Sequence, residues 1–161
     1  SSVVFEQFKR QINSLADVPT AINELSEQKN VSSIVELLLA GSVNLRASDI
    51  HVEPGENTIR LRLRVDGLMR QTAELTSHVY NLLLSRIKLL SNLKLNIHDT
   101  AQDGRFSVAL GELDMQIRTS ILPGEYGENI VLRILNPQSL LSIEQLGIRE
   151  DLYEIIDRSA K

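Results

Sequence analysis

IRLRLRVDG (59–67), followed at once by LMRQTAEL (68–75), is the stretch on which the fold turns. Ile59, Leu61, Leu63 and Val65 alternate with Arg60, Arg62 and Arg64. A period of two is the signature of a strand with one buried and one solvated face. Asp66-Gly67 is a dipeptide suited to a tight hairpin turn. LMRQTAEL then reads as the returning strand. The hairpin therefore stacks three guanidinium groups on one face of a sheet. Three readings of that row stay open: a solvated face that blunts sheet-edge association, a contact with acids on another domain or subunit, or pairing with Asp66, Glu53 or Glu74. Binding to a nucleic-acid backbone is disfavoured, because no aromatic residues interleave.

Working outward, IHVEP (50–54) is a short strand stopped by Pro54-Gly55. Upstream, Ser33 and Glu36 are spaced as a capping box, with Asn30 or Ser32 as competing caps. Ile34, Leu37, Leu38 and Leu45 follow at helical spacing, and the helix ends near Arg46. Asp49 is expected to stabilise the turn from helix to strand by a side-chain to backbone hydrogen bond. Downstream, Ser77 is the expected cap of a second helix, HVYNLLLSRIKLLSNL (78–93), whose broad apolar stripe suits packing on a sheet. NIHDTAQDG (96–104) reads as a loop in which Asp103-Gly104 turns and aims Arg105. RFSVAL (105–110), a turn at Gly111 and ELDMQIRTSIL (112–122) follow. In the latter, Leu113, Met115, Ile117 and Ile121 face one way, and Asp114, Gln116, Arg118 and Ser120 the other. PGEYGE (123–128) is a loop and NIVLRIL (129–135) a strand.

The ends are less regular. FEQFKRQINSL (5–15) suggests a helical turn or two, and Pro19 a break, so residues 1–29 read as a linker or loosely docked arm. SIEQLG (142–147), with Ser142 and Gln145 at capping positions, and REDLYEIID (149–157) read as short helices within 138–161. The opening Ser1-Ser2 and the close at RSAK (158–161) suggest a piece of a longer polypeptide. Runs of strands with tight turns and few helices give an α+β domain over 30–137. Its sheet is expected to be mainly antiparallel, of about six strands, with helices packed on one face.

Composition narrows the chemistry. The 161 residues carry a formal net charge of -4, are 42% hydrophobic and only 4% aromatic, and lack Trp and Cys. Thiol catalysis, disulfides and Cys-ligated zinc are excluded. The acidic balance argues against a broad nucleic-acid or membrane surface. No lysine precedes Ser or Thr, so the Walker A loop G-x-x-x-x-G-K-[ST] is absent, as are GxGxxG, GxSxG and HExxH. His51 and Glu53 share a strand face, where an ordinary polar surface is favoured over a metal site. No catalytic centre complete in itself is present.

Six segments occur together in order: ASDIHVEP (47–54), RLRVDG (62–67), SRIKLLSNLKL (85–95), QDGRF (102–106), DMQIRTSILP (114–123) and GENIVLRIL (127–135). The set resembles the N-terminal portion of the bacterial type II secretion and type IV pilus assembly ATPases. In that family a PAS-like α+β domain precedes a RecA-like motor. The resemblance implies a nucleotide-capping, force-transmitting domain, inactive by itself because it lacks Walker A and Walker B. It implies ATP and Mg2+ as cofactors of the whole protein, with no metal ligand and no catalytic residue in this domain. Arg118 and Arg133 match family residues that approach the ATP phosphates, and Arg105 of QDGRF is a third such residue. Read from the residues alone, Arg118 pairs with Asp114, while Arg133 packs its stem between Val131 and Leu135. Glu128 either sets the neighbouring strand or pairs with an arginine. The expected partners are the motor, neighbouring subunits of a homohexamer, and an inner-membrane platform or cytoplasmic adaptor protein. The expected location is the cytoplasmic face of the bacterial inner membrane. Two departures from the family pattern flank the phosphate-facing surface: Ala101 stands where proline is usual, and Pro123-Gly124 where Pro-Thr is common. The alternative is a stand-alone PAS-like domain for ligand sensing or protein interaction.

Overall fold

The structure is a computed structural model that describes residues 2–110 and 113–135. Four helices and six strands run α1 (Ser2–Gln11), α2 (Asp17–Glu27), a 3-10 turn (Val31–Ser33), α3 (Ile34–Leu45), β1 (Ala47–Pro54), β2 (Ile59–Val65), β3 (Leu68–Leu75), α4 (Ser77–Leu90), β4 (Gln102–Leu110), β5 (Leu113–Gly124) and β6 (Gly127–Ile134). One sheet holds all six strands in the order β3-β2-β1-β6-β5-β4. Every neighbouring pair is antiparallel. The fold is thus α+β, as expected: two three-stranded meanders joined edge to edge by β1 and β6, with α4 carrying the chain from one to the other.

The hairpin of β2 and β3 forms as its sequence dictates. Leu61 and Leu63 are buried against the helices. Asp66 and Gly67 take φ of 53° and 78°, the pair of left-handed residues that a type I′ turn needs. In β5, Met115, Ile117 and Ile121 are fully buried while Asp114, Gln116 and Arg118 are exposed. β5 and β6 reach further than expected. Only Glu125 and Tyr126 remain between them, because Gly124 pairs with Gly127. The inner face joins the helices in one continuous apolar core.

Four local expectations are corrected. Residues 1–29 carry two helices rather than a loose arm, with Phe5, Phe8, Ile12, Val18 and Leu25 buried. The cause lies in α3, which is buried at every position from 34 to 43 except Glu36. A helix apolar on all sides needs cover on all sides, and α1 and α2 pack against it to supply part of that cover. Pro19 lies in the first turn of α2, where its missing N–H costs nothing. The Asp17 carboxylate ahead of it accepts from the backbone N–H groups of Asn13 and Ser14 at 2.9 and 3.0 Å. Thr76, not Ser77, caps α4, its hydroxyl accepting from Val79 N–H at 3.2 Å. Ser33 does stand at the N-cap of α3, yet its side chain makes no capping bond. Arg46 ends α3 in the left-handed conformation, φ 60°. The turn expected at Gly111 and the helices expected over 138–161 lie outside the described residues. Among the described residues, no helix is long and apolar enough to cross a membrane.

Candidate functional site

The outer face of the sheet carries the charge. Strand register places Arg105 opposite Arg118, Arg118 opposite Arg133, Arg133 opposite Asp49, and Asp49 opposite Arg64. Residues from five strands thus form a single row across the sheet, four arginines with one carboxylate among them. Directly opposed side chains on an antiparallel pair sit about 5 Å apart at Cβ, and like charges there are destabilising. The row therefore needs counter-charge.

Among the described residues, only one end has it. Asp49 is buried, and Arg133 donates from Nε to Oδ1 and from a terminal nitrogen to Oδ2, both at 3.4 Å. Arg64 Nε lies 3.6 Å from Oδ2 of the same carboxylate. His51, one step along β1, sits 3.9 Å from Asp49 and 3.8 Å from Glu53. Burial, aided by Arg64 and Arg62, lowers its pKa below the ordinary 6.5, although Asp49 and Glu53 oppose the shift. No ion pair among the described residues involves Arg105 or Arg118. Both are exposed. Together with Asp103, Gly104 and Ser120 they line an open hollow of about 510 Å³. The Ser120 hydroxyl donates to Asp103 Oδ1 at 2.9 Å, which holds that carboxylate in the neighbouring row.

Local structure explains how these side chains are aimed. Asp103-Gly104 is not a turn; both residues lie within β4. Gly104 faces the inner side, where a Cβ would come within 2.7 Å of the Ser91 carbonyl at the end of α4. The glycine lets that helix end rest on β4, and strand alternation then turns Arg105 outward. The α4 end is closed by Asn92 in the left-handed conformation, with Leu93 N–H bonded to the Lys88 carbonyl at 2.8 Å, a Schellman arrangement. Asp49 does not brace the helix-to-strand turn; it sits within β1 and binds arginines from both flanking strands. Arg118 is not paired with Asp114.

The structure thus brings Arg105, Arg118 and Arg133 side by side and adds Asp49 and Arg64, which the sequence reading left out of the site. Arg62 lies 3.9 Å from Glu53, and Arg60 is exposed opposite Glu74. Among the described residues Glu128 pairs with no arginine. Lys88 Nζ lies 2.8 and 3.0 Å from its two carboxylate oxygens and donates to the Ile97 carbonyl at 2.9 Å. His98 Nδ1 is 2.6 Å from Glu128 Oε1. Tyr80 donates to the Glu128 carbonyl at 2.7 Å. Burial first, and the Glu128 charge second, push the Tyr80 pKa up to about 12. This cluster, buried at Lys88, Glu128 and Tyr80 with the His98 ring exposed at its edge, ties α4 and the following loop to β6, behind the arginine row. Its signal in the sequence was Lys88, a charged residue placed on the stripe of Tyr80 and Leu84. No group of three His, Asp or Glu among the described residues is placed to hold a metal.

Comparison with known proteins gives the family. The model of the family "Type II/IV secretion system protein" matches residues 24–161. A type II secretion system protein E of Pseudomonas aeruginosa is 35% identical over 151 residues, covering 91% of this chain and 30% of that protein. A type II secretion system protein E of Klebsiella pneumoniae is 33% identical over 147 residues, covering 89% of this chain and 30% of its own length. The type IV pilus assembly ATPase PilB of Thermus thermophilus is 32% identical over 155 residues, covering 96% of this chain and 17% of its own. The chain spans less than a third of each of these relatives. The fold, the ordered motifs and these matches agree that the chain belongs to the type II/IV secretion system protein family.

Proposed function

We propose that this chain is the nucleotide-capping, force-transmitting domain of an ATPase that powers type II secretion or type IV pilus assembly. In this reading Arg105, Arg118 and Arg133 face the phosphates of ATP held by a motor domain in the same polypeptide. The observation that carries it is the row itself: three arginines opposed across adjacent strands, two of them without an acidic partner among the described residues. A planar guanidinium remains charged at all physiological pH and matches phosphate oxygens two at a time. A triphosphate with Mg2+ supplies the anionic group and the reacting bond when bound. Arg118, central in the row and exposed, is best placed to contact the oxygens on which charge develops. Arg105 and Arg133 flank it and hold the anion in register.

The row stands on a sheet backed by a continuous apolar core, which in this reading carries the arginines together as the domain closes. Reaching the phosphates only when the domain closes makes closure part of assembling the reactive site. Alone, the domain has no Walker loop and is expected not to hydrolyse ATP. The same reading places it in a homohexamer at the cytoplasmic face of the inner membrane, working with a platform or adaptor protein.

The test is ATP turnover of the whole ATPase carrying this domain. Arginines that reach a phosphoryl transition state contribute at least about a thousandfold in known cases, so Arg118→Ala is expected to lower kcat by about a hundredfold or more. Arg133→Ala is expected to lower it less. Unchanged turnover in both variants, with hexamer assembly intact, rejects the assignment.

A further inference from the structure

Arg133 differs from its neighbours in the row. Among the described residues Arg105 and Arg118 form no ion pair, whereas Arg133 has a carboxylate directly opposite. Its bonds to Asp49 are long, 3.4 Å each, and its side chain is 58% exposed while that of Asp49 is only 4% exposed. The buried carboxylate is costly to leave unpaired. It sits between two arginines on the strands to either side, with Arg64 Nε at 3.6 Å. One carboxylate served by two guanidinium groups can release one and keep the other.

We propose that Asp49 is the resting counter-ion of Arg133, and that Arg64 takes over the carboxylate when Arg133 turns to an anionic ligand. The proposal rests on the reading of the row as a phosphate-facing surface and adds a release step to it. Arg133 is then the exchangeable member of the row. Asp49 and Arg64 are positioning residues that touch no ligand. His51 beside Asp49, at 3.9 Å, lies farther from the carboxylate than either arginine and lacks a permanent charge. Arg64, whose terminal nitrogen also donates to the Gly67 carbonyl at 3.0 Å, is then the reserve partner that prevents release of Arg133 from stranding a buried charge.

The test measures binding of inorganic pyrophosphate to the chain by calorimetry at low ionic strength, with the Arg133 Nε–H resonance followed by NMR. A half-exposed charged pair contributes about 1 kcal/mol, so Asp49→Asn is expected to tighten pyrophosphate binding by about fivefold. That gain is expected to vanish in the Arg133→Ala background, which separates it from the general effect of one less negative charge. Arg64→Ala is expected to weaken binding by about threefold while Asp49 is present and to have no effect in the Asp49→Asn background. An Asp49→Asn chain with equal or lower affinity, a gain that persists without Arg133, an Arg64→Ala effect that is the same in both backgrounds, or no pyrophosphate binding by any form would each overturn the exchange. If Asp49→Asn does not fold, Arg64→Ala decides alone: weaker binding with an altered Arg133 resonance supports the exchange, and unchanged binding refutes it. Failure here is distinct from failure of the ATP assignment. Turnover that survives Arg118→Ala and Arg133→Ala removes ATP as the anion, whereas this cycle reads the exchange with no motor involved.

Discussion

At the scale of single residues, two carboxylates do opposite work. Asp49 lies under an exposed arginine and shares its charge between two strands. Glu128 lies inside, with Lys88 at 1% side-chain exposure and itself at 5%. A buried pair contributes little net stability against an apolar substitute, but breaking it leaves an uncompensated charge. Lys88→Met is therefore expected to destabilise the chain by about 3 kcal/mol, and adding Glu128→Gln to recover at least about 1 kcal/mol of that loss. Urea denaturation of both variants checks the sign. A double variant less stable than the single one would show that Glu128 finds enough compensation in His98. The residue scale is also where the sequence said least. Lys88 was readable as an anomaly on an apolar stripe. Its partner, 40 positions away, was not.

At the scale of elements, strand and helix identities follow from periodicity, and the exceptions have local causes. β2 and β3 needed only alternation and a dipeptide with two left-handed residues. α4 needed a stripe, and its cap moved by one residue because Thr76 and Ser77 are both competent and the chain turns at Thr76. Glycines mark where elements approach most closely. A Cβ on Gly104 would meet the Ser91 carbonyl at 2.7 Å, and one on Gly41 would meet the tip of the Ile12 side chain, also at 2.7 Å. Backbone cannot rotate away as a side-chain tip can. Gly104→Ala is therefore expected to cost about 2 kcal/mol or more by overpacking. Gly41→Ala should cost less, because alanine regains about 1 kcal/mol of helix propensity and Ile12 can repack. Thermal unfolding of the two variants ranks them. The reverse order would mean that α4 shifts on β4 more freely than α1 shifts on α3, and would weaken the account of how Arg105 is aimed.

At the scale of the whole molecule, the fold is two meanders and a helical cover around α3. The cover includes α1 and α2, within the stretch that sequence reading alone left outside the domain. Ile12 is fully buried against α3. Ile12→Ala is expected to destabilise the whole domain by about 3 kcal/mol, in a single cooperative transition. A change confined to loss of the first helix, with the sheet unfolding at its original denaturant concentration, would restore the picture of a detachable arm.

Local sequence specifies the pieces. Alternation specified the strands, the Asp-Gly turn specified one hairpin, helical stripes specified α3 and α4, and six ordered motifs pointed to the family. These are local properties, encoded within about ten to twenty neighbouring residues, and periodicity reads them directly. Beyond that hairpin, tertiary structure alone decided which strands meet and in what register. β1 and β6 pair across about 80 residues of chain, and no local pattern carries that information. That pairing puts Asp49 beside Arg133, and the register of β4, β5 and β6 aligns Arg105, Arg118 and Arg133. The physical reason is that a register slip of one residue would turn every inward apolar side chain of a strand outward. Core packing thus fixes the register, and the arginine row on the opposite face follows from it.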